Sequence, residues 1–417
     1  MVRHAGRVGP VPRWVVAAGA VVLLLAGGSA IWAASATGDD SGPGARPSAG
    51  GSGGAAHGSA PAGSPSGPEA SADCAAALVA KLSIEQQVGQ LLMIGTPIGS
   101  PGDASQAVQR YQLGGIFLAG RSSVSASALK QSIGRLQSVA AKSGVALQIG
   151  IDQEGGQVQT LKGTDFPPIP SAVNQGKLDS ATLKTRTAEW AKRLKDVGVT
   201  IDLAPVADVV PTSVGKANPP IGAFDRQYGP APDPVAEDVA TVVAAIQGVG
   251  VLTTLKHFPG LGRVRVNTDT STGARDDLTT ADDASLKPFI TGIATGSAAV
   301  MISSATYPKL DPANVAAFSA PIVTGLLRQK LGFDGLVLSD DLGAAVAVSS
   351  VAVGQRAVRF VQAGGDVVLS VKLSDAGPMT DALLAAAKSN PAFATRVTES
   401  ATRVIRSKLR AGLATCA

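Results

Sequence analysis

Residues 146–156 read Ala146-Leu147-Gln148-Ile149-Gly150-Ile151-Asp152-Gln153-Glu154-Gly155-Gly156. A short, mostly apolar run ends abruptly in two acids and a glycine pair. The run is continuous rather than alternating, as expected for a parallel strand covered on both faces. Seven similar runs flank it. Leu91–Gly95 and Gly115–Ala119 precede it; Val199–Leu203, Gly250–Leu255, Ala298–Ser303, Gly335–Ser339 and Asp366–Val371 follow. Helix-like stretches lie between most of them, among them Ala181–Asp196, Pro234–Gly248 and Gly354–Gln362. Ser83-Ile84-Glu85-Gln86 has the form of a capping box opening another helix. Eight such units predict an α/β fold, a (β/α)8 TIM barrel in a single domain over residues 73–417. A doubly wound sheet is the alternative, but no G-x-G-x-x-G follows the first strand.

In such a barrel the chemistry gathers at the C-terminal strand ends. The third run leads into Asp152 and Glu154, and the fifth into Lys256-His257-Phe258-Pro259-Gly260. The seventh leads into Ser339-Asp340-Asp341. The second ends in Ala119-Gly120-Arg121, and the fourth in Pro205-Val206-Ala207-Asp208. Carboxylates, a Lys-His pair and arginines therefore share one rim. Paired carboxylates there point to glycosidic bond hydrolysis, one as nucleophile and one as proton donor. Lys, Arg and Asp also hydrogen-bond sugar hydroxyls.

Five ordered motifs carry a resemblance. They are Ile151-Asp152-Gln153-Glu154-Gly155-Gly156-Gln157-Val158, Asp202-Leu203-Ala204-Pro205-Val206-Ala207-Asp208, Arg226-Gln227-Tyr228-Gly229, Lys256-His257-Phe258-Pro259-Gly260 and Leu338-Ser339-Asp340-Asp341-Leu342. Over residues 80–410 the chain resembles glycoside hydrolase family 3, in particular its single-domain bacterial β-N-acetylglucosaminidases. The resemblance implies Asp340 as nucleophile and Asp152, Arg226, Lys256 and His257 as ligands of the sugar. It also marks departures. The family subgroup continues the strand-five motif as Pro-Gly-His-Gly and places an Asp-x-His acid/base pair in the next loop. Here Leu261 stands for the first histidine and Asn267-Thr268-Asp269 for the pair. Ser304 and Thr160 replace a further histidine and an arginine.

Each assignment has a structural rival. Asp340 or Asp341 could cap the helix after the seventh strand. Arg226 could be a surface residue paired with Asp225, and Lys256 with His257 a satisfied core pair. Asp269 could replace the histidine as proton donor, oriented by Asn267, or be a loop acid among turn formers. The pairs Asp276-Asp277 and Asp282-Asp283 read as solvated charges at helix starts, not metal ligands. The leading function is a retaining exo-β-glycosidase, β-N-acetylhexosaminidase-like, acting on cell-wall or chitin-derived glycans. The alternatives are a non-catalytic sugar-binding protein on a degenerate barrel, or a β-glucosidase or β-xylosidase. Neither a metal nor an organic cofactor is implied, and the expected partner is carbohydrate bound by a monomer.

The ends of the chain concern location. Arg3, Arg7 and Arg13 precede Trp14–Ala34, a stretch without a charge that is long enough to span a bilayer. Ala34-Ser35-Ala36 resembles a cleavage site, so residues 1–36 read as a signal peptide or a signal anchor. Either exports the rest to the cell envelope or beyond, with membrane contact only through residues 14–34. Residues 37–72, nearly all Gly, Ser, Ala and Pro, read as a disordered linker. The formal net charge of +5 owes three units to the N-terminal arginines. The nearly balanced remainder argues against nucleic acid as a partner. The chain has two cysteines, Cys74 and Cys416, which in an exported protein suggest a disulfide; free thiols are the rival reading.

Overall fold

The computed structural model describes residues 68–416, with side chains from Ala72 onward. Strands β1 (Leu92–Pro97), β2 (Gly115–Ala119), β3 (Gln148–Ile151), β4 (Ile201–Asp202), β5 (Leu252–Phe258), β6 (Ala299–Ile302), β7 (Leu336–Ser339) and β8 (Val368–Ser370) stand side by side in chain order. β8 pairs with β1 in parallel, Val368 opposite Leu92. The parallel bridge between Leu338 and Val367 joins β7 to β8 and closes the ring. The eight apolar runs thus become the eight staves of a (β/α)8 barrel.

Two strands depart from the expected limits in ways that shape the site. β4 is cut to two residues, and Pro205 shortly after it has no N–H to extend a ladder. β5 runs on to Phe258, so Lys256 and His257 lie within the strand rather than past it. Its register with β6 shifts between Leu255 and Phe258, a local irregularity of the kind that re-aims side chains near barrel rims.

The helices follow their sequence signals. Ser83 accepts the N–H of Gln86 while the Gln86 side chain accepts the N–H of Ser83, a closed capping box on helix Ile84–Gln90. Asp179 caps Ser180–Asp196 by accepting the Thr182 N–H at 2.9 Å. Pro232–Gly248 and Val353–Ala363 cover the barrel where helix-like patterns were read. One boundary moves. The first helix spans Pro68–Val79, so its first turn lies inside the segment expected to be linker. Pro at a helix start has a φ already suited to it, and this helix packs along Pro391–Arg410. Residues 1–67, including the apolar stretch 14–34, lie outside the described residues. Among the described residues no helix is long and apolar enough to cross a membrane.

The barrel interior is filled by Met93, Phe117, Ile201, Leu203, Leu252, Met301, Leu336, Leu338 and Leu369. Each fully buried large apolar side chain contributes roughly 1.5–3 kcal/mol of transfer free energy. Gly150 admits Met93: a Cβ there would sit 2.9 Å from its sulfur. Below, the last turns of Pro391–Arg410 lie across the N-terminal strand ends. The Ser407 hydroxyl accepts from Gln148, the first residue of β3, and Arg410 donates to the Gly296 carbonyl just before β6. Beyond that helix the Leu413 N–H turns back to the Lys408 carbonyl, and Cys416 is joined to Cys74.

That bond closes a loop of sequence separation 342. Loops of this length gain most from cross-linking in the chain-entropy description. Reduction, or Cys74→Ser, should therefore cost about 2–5 kcal/mol, read as a lower denaturant midpoint. Equal midpoints with and without reductant would show that the two ends hold together without the bond.

Candidate active site

The cavity above the barrel interior is built from the strand ends inward. β3 passes directly into a small antiparallel ribbon, Gln153–Gly155 against Val158–Gln159. Gly155 and Gly156 turn it with φ of 101° and 55°. A Cβ on Gly155 would also lie 2.3 Å from the Pro170 carbonyl, so only glycine fits. The turn throws the carboxylates of Asp152 and Glu154 toward β5.

There they meet Lys256. Its ammonium lies 2.5 Å from Asp152 Oδ1 and 2.6 Å from Glu154 Oε1. Glu154 also receives Arg226 in a two-pronged contact, Nε to Oε2 at 2.8 Å and Nη2 to Oε1 at 2.7 Å. The remaining terminal nitrogen of Arg226 donates to the Pro220 carbonyl at 2.8 Å. The pairing imagined between Arg226 and Asp225 does not form: Asp225 turns outward to Lys216. Burial opposes charge on Glu154, but the Arg226 and Lys256 cations outweigh it and hold its pKa down to about 2. Burial likewise opposes charge on Lys256, and the carboxylates of Asp152 and Glu154 reverse that, raising its pKa.

Next along β5, His257 faces the same cavity; the peptide between it and Lys256 is cis. Its Nδ1 is 2.8 Å from Asp208 Oδ2. The other oxygen of Asp208 accepts the backbone N–H groups of His257 and Leu261. A proton on Nδ1, donated to Asp208, leaves Nε2 turned toward Arg226, 3.4 Å away.

After β7 the two adjacent acids divide their work. Asp341 accepts from the backbone N–H of Gly343, Ala344 and Val371; no helix starts there, so neither acid is a helix cap, and Asp341 instead fixes the turn after β7. Asp340 receives only the Asp341 N–H, at 2.8 Å, and its carboxylate is left to the cavity. The loop after β5 docks on the segment beyond it: Val346 donates to the Asp269 carbonyl and Ala347 to that of Thr268. This places Asp269 on the rim beside Asp340. Asp269 is itself exposed at the mouth, but the surrounding protein partly desolvates its carboxyl, and this and then the Asp340 charge push its pKa up to about 6. Asn267 does not orient the carboxylate as imagined. Its side chain accepts the backbone N–H of Asp269 at 2.9 Å and so fixes the turn.

Asp152, Arg226, Lys256, His257, Asp269 and Asp340 all line one cavity of about 380 Å³. Leu261, in the position of the first missing histidine, lines it too, giving an apolar wall without a proton to offer. Among the described residues no cluster of His, Cys, Asp and Glu is arranged to hold a metal ion. Of the acid pairs read as solvated, Asp277 and Asp282 are surface residues paired with Arg275 and Lys330. Asp276 is instead buried, accepting from Leu278, Thr279 and the Thr279 hydroxyl. Asp283 receives Arg263 and caps a short turn.

Residues 83–407 match the glycosyl hydrolase family 3 N-terminal domain. The chain belongs to glycosyl hydrolase family 3. Among solved structures, a β-N-acetylhexosaminidase from Beutenbergia cavernae is similar at 44% identity and a TM-score of 0.77, covering 79% of this chain and 99% of that one. The β-hexosaminidase LpqI of Mycobacterium tuberculosis is 31% identical over 340 residues, 79% of this chain and 84% of the relative. A β-hexosaminidase of Stenotrophomonas maltophilia is 36% identical over 231 residues, which is 53% of this chain and 66% of that protein.

Two residues behind the cavity, Glu154 and Asp208, stand in the sequence motifs without a role that the letters alone assign. Both follow strand ends by a few residues, the one signal that could have singled them out. Glu154 is the hub of the ion cluster. Glu154→Gln should cost about 3–5 kcal/mol, because it leaves two cations short of a buried partner. With a pKa held near 2, the stability Glu154 adds is complete above its usual 4.5 and is lost as pH falls toward 2. The variant should therefore lack that part of the acid limb of the stability curve. Denaturant midpoints between pH 2 and 7 check both; parallel curves for the two proteins would reject the hub.

Proposed function

We propose that this family 3 barrel is a retaining exo-β-N-acetylhexosaminidase, a monomer exported to the cell envelope, where it trims cell-wall or chitin-derived glycans. The observation that carries the chemistry is the sharing of one cavity by two carboxylates with unequal environments. Asp340 faces the cavity with one N–H donor, whereas Asp269 on the rim has its pKa raised to about 6. A raised pKa suits Asp269 to hold the proton that the leaving group needs. Asp340 attacks the anomeric carbon and forms a glycosyl ester. Asp269 gives its proton to the leaving oxygen as that bond breaks. Its carboxylate then takes a proton from water, which attacks the same carbon and releases Asp340, so the sugar leaves with its configuration retained. Asp152, Lys256, Arg226 and His257 receive the hydroxyls of the terminal sugar, pre-positioned by Glu154 and Asp208.

The choice of an N-acetylhexosaminide rests on the relatives' names and on the length of chain they share. Export rests on residues 1–36 of the sequence. A 5-fluoro N-acetylglucosaminyl fluoride tests the reaction directly, because fluorine at C5 slows both steps while the good fluoride leaving group keeps formation of the ester faster than its release. Mass mapping should find the sugar on the peptide carrying Asp340. A protein that binds N-acetylglucosamine but acquires no label from this probe or its glucosyl counterpart is a sugar-binding barrel rather than an enzyme.

A further inference from the structure

A third layer of carboxylate lies beneath the sugar site. Asp202, at the end of β4, is 3% exposed. It forms no ion pair among the described residues. Its Oδ1 accepts the backbone N–H of Gln153 at 3.1 Å, the residue between Asp152 and Glu154. The groups facing it are Lys256 from β5, Asp152 and Glu154 from the end of β3, and Tyr228 from the loop after β4. Both Asp152 and Glu154 already hold Lys256, and Glu154 also holds Arg226. The two cations are thus matched before Asp202 is counted. A further negative charge here would have no counter-ion and no bulk water.

Beside Asp202 lies a small space of about 20 Å³, lined also by Glu154, Gln175 and Tyr228. It has room for one water molecule, and those groups supply the several polar partners that a buried water needs.

We propose that Asp202 is a positioning residue of the sugar site that acts as a neutral acid, its hydroxyl satisfied by a water in the adjoining space. Its carbonyl oxygen anchors the Gln153 N–H, and through it the two carboxylates that hold Lys256 and Arg226. Ionised, Asp202 would compete with Asp152 and Glu154 for the Lys256 ammonium and loosen the grip on the sugar hydroxyls. Burial, with repulsion from Asp152 and Glu154, agrees with this by lifting its pKa to about 7. The role in sugar binding rests on the glycosidase reading above; the protonation state does not.

The sign follows from linkage. A carboxyl with a folded-state pKa above its unfolded value binds more protons when folded. Stability therefore falls as pH rises between the two values, and the penalty is complete above the folded one. Asp202→Asn keeps shape and neutrality and removes the titration. Thermal midpoints of the two proteins should converge below about pH 4, separate progressively as pH rises to about 7, and keep that separation above it, with the Asn variant higher. Calorimetry with N-acetylglucosamine is the second arm. The affinity ratio of Asn variant to wild type should be near one at pH 5.5 and rise to about tenfold at pH 8.5, and taking the ratio removes the titration of Asp269, which both proteins share. Asp202→Ala should bind the sugar more weakly at every pH.

Midpoints that stay parallel across the range, an affinity ratio that does not change with pH, or an Asn variant that fails to fold would each overturn the proposal. If neither protein binds the sugar, it is the N-acetylhexosaminide reading that fails, and the melting data still decide the state of Asp202.

Discussion

Replacing Asp340 by Asn should reduce turnover by about 10⁴-fold or more, with the fold and weak sugar binding kept. Removing a residue that makes a covalent intermediate typically costs this much, because no neighbour can take its place. The amide is nearly isosteric, and its nitrogen adds no nucleophilicity. The Asp341 N–H that now points at Asp340 Oδ1 can still meet an amide oxygen. The neighbouring Asp341 does not rescue the variant, since it is committed to three backbone N–H groups. Steady-state rates with a nitrophenyl N-acetylglucosaminide, alongside a melting curve, provide the check. Activity within a few-fold of wild type would move the nucleophile away from β7.

Asp269→Ala should separate substrates by their leaving groups. Glycosides with ordinary alcohol leaving groups should lose about 10²–10⁴-fold, the usual worth of general acid help. A dinitrophenyl glycoside needs little protonation and should keep most of its first step. Azide should then accelerate release of the sugar, attacking the glycosyl ester in place of water and yielding a β-glycosyl azide. The pH profile follows from the same residue. With a pKa raised to about 6, Asp269 loses its proton as pH rises, so wild-type activity should decline on the alkaline side of that value. The variant should lose this limb. Equal losses on both classes of substrate, with no effect of azide, would make Asp269 a loop acid.

The barrel was legible because its signal is local. Each stave is a short apolar run and each run carries its own evidence, so errors in one boundary do not spread. The strand-end rule then gathered Asp152, Lys256, His257 and Asp340 without any knowledge of distance. What stayed hidden is contact across the barrel. Arg226 has an acid beside it in the sequence, yet its partner is Glu154, 72 residues away. Sequence proximity favoured Asp225, which has a positive φ of 56° and points its side chain outward to Lys216. Asn267 was expected to touch a carboxylate and instead touches the backbone, as short polar side chains in turns commonly do. Asp340 and Asp341 are indistinguishable as letters. Only the count of N–H groups around each separates the acid that fixes the turn from the carboxylate left to the cavity.

The Cys74–Cys416 bond and the helix laid across the lower strand ends have a geometric consequence for handling the protein. Both ends of the domain come together beside the closed end of the barrel, while the cavity opens at the other. Anything coupled beside the Cys74–Cys416 bond is therefore on the far side from the mouth. A bead or a dye attached there leaves the opening unobstructed, like a cup held by its base.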